Sequence, residues 1–152
     1  MPLTIAMSIA LVLLTTGIHL VFFSTIARAG NPRAQISDLR FYYLMLGIFG
    51  VHLIDIALYA FAYYLASDVF GIGALEGSPS EGALGHFYAS AVIYTTLGFG
   101  DVLPQGHMRC LVATESLNGL LFIAWSASFM FAAMGRTLQQ PEAEPRRPAR
   151  ES

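Results

Sequence analysis

The residues Thr95-Thr96-Leu97-Gly98-Phe99-Gly100-Asp101 put two threonines, two glycines around one aromatic, and a closing acid in the middle of a very apolar chain. Each glycine would weaken a helix by ~1 kcal/mol relative to alanine, so the stretch is not built to be helical. Glycine at alternate positions permits positive φ, which lets successive carbonyls face one way. Rings of such carbonyl oxygens can replace the water around a bare cation. One chain supplies one wall of such a site, so closing it requires several copies around an axis. The other residues able to do chemistry are few. Glu115 stands in a long apolar run, His52 and Asp55 lie three apart in another, and His19 is alone in a third. No Ser, His and Asp arrangement, HExxH motif or paired-cysteine pattern is present, which argues against an enzyme and against a resident cofactor.

The elements that must hold these residues follow from composition. The chain has 152 residues, 55% hydrophobic and 12% charged, about half the charge of a soluble domain. That is the composition of an integral membrane protein. A net charge of −2 and the lack of a basic cluster outside the last residues speak against nucleic acid as a partner. The single Cys110 rules out an intrachain disulfide and reads as a small apolar residue.

Residues 1–27 carry no acidic or basic side chain and exceed the ~20 residues needed to span hydrocarbon. A signal peptide would want a basic start, which MPLTIAMS lacks, so this reads as a retained helix. Further spans read over 41–65 and 110–135, with aromatic anchors at Phe41, Tyr42 and Tyr43 and at Tyr59, Phe61, Tyr63 and Tyr64. The apolar run 84–95 is about half the spanning length, the mark of a re-entrant segment. Arg28, Arg33 and Arg40 in the first loop, and Arg136, Arg146, Arg147 and Arg150 after the last span, put both on the cytoplasmic side. The connection from Ala66 to Gly85, acidic and without basic residues, is then outside with the amino terminus. Its Gly, Ser and Pro stretch from Gly73 to Gly82 reads as a loop, with Ser80 and Glu81 opening the short helix. The last residues, rich in Pro and in both charges, read as a disordered tail.

At Thr95 to Asp101 the chain resembles the potassium channel pore-loop family, whose pattern reads TTVGYGD. A bare GxG would mean little, and Gly71-Ile72-Gly73 lacks the threonines and the preceding helix. The resemblance implies an all-α membrane fold of three transmembrane helices with a re-entrant pore helix, assembled as a homotetramer in the lipid bilayer. Residues 1–40 would be an N-terminal helix with a cytoplasmic loop, 41–136 a pore domain and 137–152 the tail. In the pore domain the outer helix is expected over 41–65, the pore helix over 84–95, the filter over 96–101 and the inner helix over 110–135. The carbonyls of Thr96, Leu97, Gly98 and Phe99 and the Thr96 hydroxyl would bind K+, with Gly100 completing the filter and Thr95, Tyr94 and Asp101 supporting it. Leu97 replaces the usual valine, and Phe99 replaces a tyrosine whose hydroxyl ties the filter to the pore helix in the family.

In the inner helix Gly119 lies nineteen residues after Gly100, where family members often bend, so it is either a hinge or a close packing point. Ala124, Ser128 and Ala132 share a helical face and could line a wet cavity or pack. Glu115 is placed to brace the pore helix through Tyr94 or Thr95. His52 and Asp55 read as a buried polar pair, bonded to each other or to a neighbouring helix, and His19 as a satisfied interior histidine. The function implied is passive K+ conduction. A weakly selective cation pore and a nonconducting pore-like regulatory subunit are the alternatives. No helix carries the regularly spaced arginines of a voltage sensor.

Overall fold

The computed structural model describes residues 1–29, 38–77 and 82–138. Arg33, the Ser80 and Glu81 helix start, and the tail from residue 139 with Arg146, Arg147 and Arg150 lie outside the described residues. Four helices dominate: α1 (Pro2–Ala29), α2 (Asp38–Tyr64), α3 (Gly82–Tyr94) and α4 (Met108–Leu138). Three of them are long and apolar enough to cross a membrane, and α3, at 13 residues, is too short to do so. α2 and α4 each begin two or three residues before the expected spans. α4 also takes in residues 137 and 138, which were expected in the tail.

One element departs from the loop expected over Gly73 to Gly82. A π-helical turn, Leu65–Val69, extends α2, and the chain then forms the strand β1 (Gly73–Gly77). β1 pairs antiparallel with β2 (Val102–Gly106), in a register running from Gly73 opposite Gly106 to Gly77 opposite Val102. The glycines that made this stretch look like a loop are what let the strands close. A Cβ on Gly77 would lie 1.8 Å from the Asp101 carbonyl oxygen, and one on Gly73 2.7 Å from that of Gln105. Pro104 is tolerated because every strand of a two-stranded ribbon is an edge. The ribbon clips together the two ends of the segment that contains α3 and residues 95–101, so this excursion leaves and rejoins the helices at one place.

α3 lies against α2 and α4, while α1 packs mainly on α4 and also touches α2. The core below the ribbon gathers Tyr59, Ala62, Tyr63 and Ala66 with Leu75, Ala89, Met108 and Leu111. Tyr59 and Tyr63 are thus not interface anchors, since both are fully buried, whereas Tyr42, Tyr43, Phe61 and Tyr64 are exposed. The reason is polar: the Tyr63 hydroxyl donates to Glu115 and the Asn118 amide donates to the Tyr59 oxygen at 3.2 Å. Each phenol has an interior partner and does not need water.

Candidate functional site

α3 ends in a way that sets the course of the following residues. The Thr96 amide donates to the Ile93 carbonyl at 2.9 Å and the Leu97 amide to Val92 at 3.0 Å. This is the paired closure of a Schellman motif, whose left-handed position is normally glycine. Here it is Thr96, with φ of 58°, a conformation that costs a β-branched residue roughly 1–2 kcal/mol. Gly98 and Gly100 follow with φ of 56° and 81°. Positive φ therefore recurs at every second residue from Thr96 to Gly100, one step earlier than the glycines alone announce. Leu97 and Phe99, between them, are 57% and 64% exposed in the single chain.

Tyr94, the last residue of α3, is gripped at both ends. Its carbonyl faces Gly119 of α4 so closely that a Cβ there would lie 2.2 Å from the oxygen. Of the two readings of Gly119, close packing is the one with a visible contact. The Tyr94 hydroxyl donates to Asp55 Oδ2 at 2.9 Å and lies 2.8 Å from His52 Nδ1. Since that hydroxyl proton is committed to the carboxylate, Nδ1–H of His52 donates to the phenol oxygen, and Nε2 accepts from the Ser126 hydroxyl at 3.0 Å. His52 and Asp55 thus bond to neighbouring helices and meet each other only through Tyr94.

Glu115, fully buried, bonds to α3 through Ser90, not through the Tyr94 or Thr95 expected. Its Oε1 lies 2.5 Å from the Ser90 hydroxyl of α3 and its Oε2 accepts from Tyr63. The Ser90 hydroxyl is also 2.8 Å from the Ile56 carbonyl, so α2, α3 and α4 meet at this point. Thr95 turns instead to its own helix, donating to the Ala91 carbonyl at 2.7 Å. At the other end of the glycine segment the Tyr88 hydroxyl donates to Asp101 Oδ2 at 2.6 Å, tying the segment's exit to the middle of α3. Ala124, Ser128 and Ala132 are exposed in the single chain, as residues facing a shared cavity or a second chain would be. Ser128 donates to the Ala124 carbonyl at 2.9 Å.

Sequence reasoning missed how α1 joins this arrangement. Asn118 donates to Thr15 at 2.9 Å as well as to Tyr59. His19 is buried, stacks on Phe122 at 3.9 Å between ring centroids, donates from Nδ1 to the Thr15 carbonyl at 3.2 Å and lies 3.4 Å from Asp55 Oδ2. It is the satisfied interior histidine expected, with a partner that no local pattern could name. Ligand atoms of His19, His52 and Asp55 lie within 4.8 Å of one another, the residue types of a transition-metal set. Nδ1 of His19 and both ring nitrogens of His52 are already engaged in these bonds, while Asp55 Oδ1 has no partner among the described residues.

A half-span helix that ends on a run of alternating positive φ, framed by two long apolar helices, can be compared with known proteins. A family model described as ion channel matches residues 51–136 of this chain. This chain belongs to the ion channel family. The match takes in the second half of α2, the ribbon, α3, the glycine segment and nearly all of α4, and leaves α1 outside. The chain is also 34% identical, over 90 residues, to the inward rectifier potassium channel Kirbac3.1 of Paramagnetospirillum magnetotacticum. That similarity covers 59% of this chain but 29% of the relative, so the chain corresponds to less than a third of that protein's length. No solved structure matches the chain. Membership of the family, with three helices long and apolar enough to cross a bilayer, makes this a membrane protein of the ion channel family.

Proposed function

We propose that this channel conducts potassium in preference to sodium, through a filter made by residues 96–100 of four identical chains. The observation that carries the reading is the alternation of positive φ at Thr96, Gly98 and Gly100. Alternating backbone hand is what turns consecutive carbonyls toward one side, where they can stand in for a cation's hydration shell. The Thr96 hydroxyl adds an oxygen at the inner end, and Asp101, fixed by Tyr88, puts a carboxylate at the outer mouth. The carboxyl end of α3 contributes its partial negative charge below the filter. K+ is the permeant ion, and no cofactor is needed.

Assembly follows from exposure. Leu97 and Phe99 are large apolar side chains left uncovered on one chain beside the conduction path, and identical neighbours would cover them. The arginines at the α1–α2 connection and after α4 support a cytoplasmic side for both, with the ribbon and the amino terminus on the outer side. Kirbac3.1, by its name a potassium channel, supports the choice of ion. A weakly selective cation pore is the second reading, favoured by one feature: Phe99 has no hydroxyl with which to tie the filter to α3.

The test is flux through the purified protein alone. In vesicles it should pass Rb+ and K+, and crosslinking in mild detergent should run out to a tetramer and stop. A tetramer with no flux would mark a regulatory subunit, and a monomer that conducts would end the argument for a shared filter.

A further inference from the structure

The helix that lies outside the family match ends its chain of contacts at the filter. His19 Nδ1 on α1 packs 3.4 Å from Asp55 Oδ2 on α2, Asp55 accepts from the Tyr94 hydroxyl, and Tyr94 is followed at once by Thr95 and Thr96. We infer that α1 is a filter brace, in which His19, acting through Asp55 and Tyr94, is a positioning residue that fixes the inner end of the filter. This rests on the conduction path proposed above, though the mechanical part can be read without any current.

Tyr94 has little freedom of its own. Its carbonyl abuts Gly119 and its hydroxyl sits between His52 and Asp55, and of these partners the carboxylate is the one against which α1 packs. Asp55 is fully buried and its Oδ1 has no partner among the described residues, so the carboxylate is oriented through Oδ2 alone. Oδ2 receives the Tyr94 hydroxyl and faces the His19 ring. A buried carboxylate held on one side only would turn toward whatever polar group could satisfy it, and Tyr94 would follow. The His19 ring blocks that turn by packing, with Nδ1 3.4 Å from Oδ2 and the ring itself fixed by stacking on Phe122 and by Nδ1–H on the Thr15 carbonyl. Thr15 in turn is bonded to Asn118 of α4, so α1 cannot slide along the pore unit without breaking that bond too.

Movement of Tyr94 reaches the filter through three amide bonds: Thr95 to Ala91, Thr96 to Ile93 and Leu97 to Val92. These hold Thr96 in its unfavourable φ and so aim the lowest filter oxygens. An unbraced Tyr94 frees the Schellman closure to open and Thr96 to relax.

Hydrogen exchange at those amides, on the full chain in detergent with K+, reads the brace directly. In His19→Ala and in Tyr94→Phe exchange at Thr95, Thr96 and Leu97 should be faster, by about tenfold or more in Tyr94→Phe, the variant that loses a hydrogen bond to a charged group. His19→Asn, which keeps a donor near the Nδ1 position, should restore protection, and Leu13→Ala, on an exposed position of α1, should change nothing. In vesicles the K+ over Na+ permeability ratio should fall in the same two variants and recover in His19→Asn. Unchanged exchange in both variants, with the tetramer intact, would overturn the brace. So would a loss of protection that His19→Asn fails to rescue. Faster exchange in a protein whose wild type does not discriminate K+ from Na+ would uphold the brace and sink the proposed selectivity instead.

Discussion

Replacing Gly119 by alanine separates the two roles open to that residue. The added methyl would stand 2.2 Å from the Tyr94 carbonyl oxygen and 3.0 Å from both its carbonyl carbon and its Cγ. The nearest atoms are backbone, so no side-chain rotation relieves the overlap, and α4 must retreat from α3 by roughly 1 Å to reach ordinary contact. Overpacking of this kind costs about 1–3 kcal/mol, and alanine returns ~1 kcal/mol through its better helix propensity. The balance is a net loss of up to roughly 2 kcal/mol, concentrated where α3 and α4 touch. Gly50 in α2 has nothing within 4 Å of its would-be Cβ, so Gly50→Ala should be neutral or stabilising by up to ~1 kcal/mol. Thermal unfolding of the detergent-solubilised protein, followed by gel-filtration fluorescence, compares the two. Gly119→Ala should melt below wild type and bind K+ less well, while Gly50→Ala should not. A Gly119→Ala protein as stable as wild type, with altered opening but unchanged selectivity, would refute the packing argument and restore the hinge.

Three further variants probe the support of the filter. Thr96→Gly removes both the strained φ and the hydroxyl; thermal unfolding should show a gain of roughly 1 kcal/mol, while K+ binding at the inner end weakens. Equal loss of both would mean that Thr96 is not strained. Glu115→Leu leaves the Ser90 and Tyr63 hydroxyls without their carboxylate and should cost about 1–3 kcal/mol, visible as tetramer dissociation at lower temperature. Full stability would show that these bonds contribute nothing. Tyr88→Phe frees Asp101 and should speed the decline of current after K+ is lowered on the outer side, with little effect on melting. An unchanged time course would leave that bond without a role at the mouth.

Much of the frame was legible because the bilayer imposes it. A spanning helix must be apolar for ~20 residues, so the long helices, and α3 by being too short, stand out from composition alone. The β1–β2 ribbon was not legible. The two glycines and one acid of β1 are loop-like locally, and its partner strand comes only after α3 and the glycine segment, so no local periodicity could reveal the pairing. Tyr59 and Tyr63 failed for a related reason. An aromatic near a helix end looks the same whether it anchors at the interface or reaches a buried Asn118 or Glu115, and only packing decides. Positive φ was legible at Gly98 and Gly100 but not at Thr96, where residue preference points the other way and the closing bonds of α3 override it. The link from His19 to Asp55 joins helices that no sequence spacing relates.

The central claim is discrimination between two monovalent cations by the segment from Thr96 to Gly100. The most direct measurement is the reversal potential of the purified channel in a planar bilayer, with potassium on one side and sodium on the other. The account predicts a value close to the potassium equilibrium potential; a robust current that reverses near zero would contradict it.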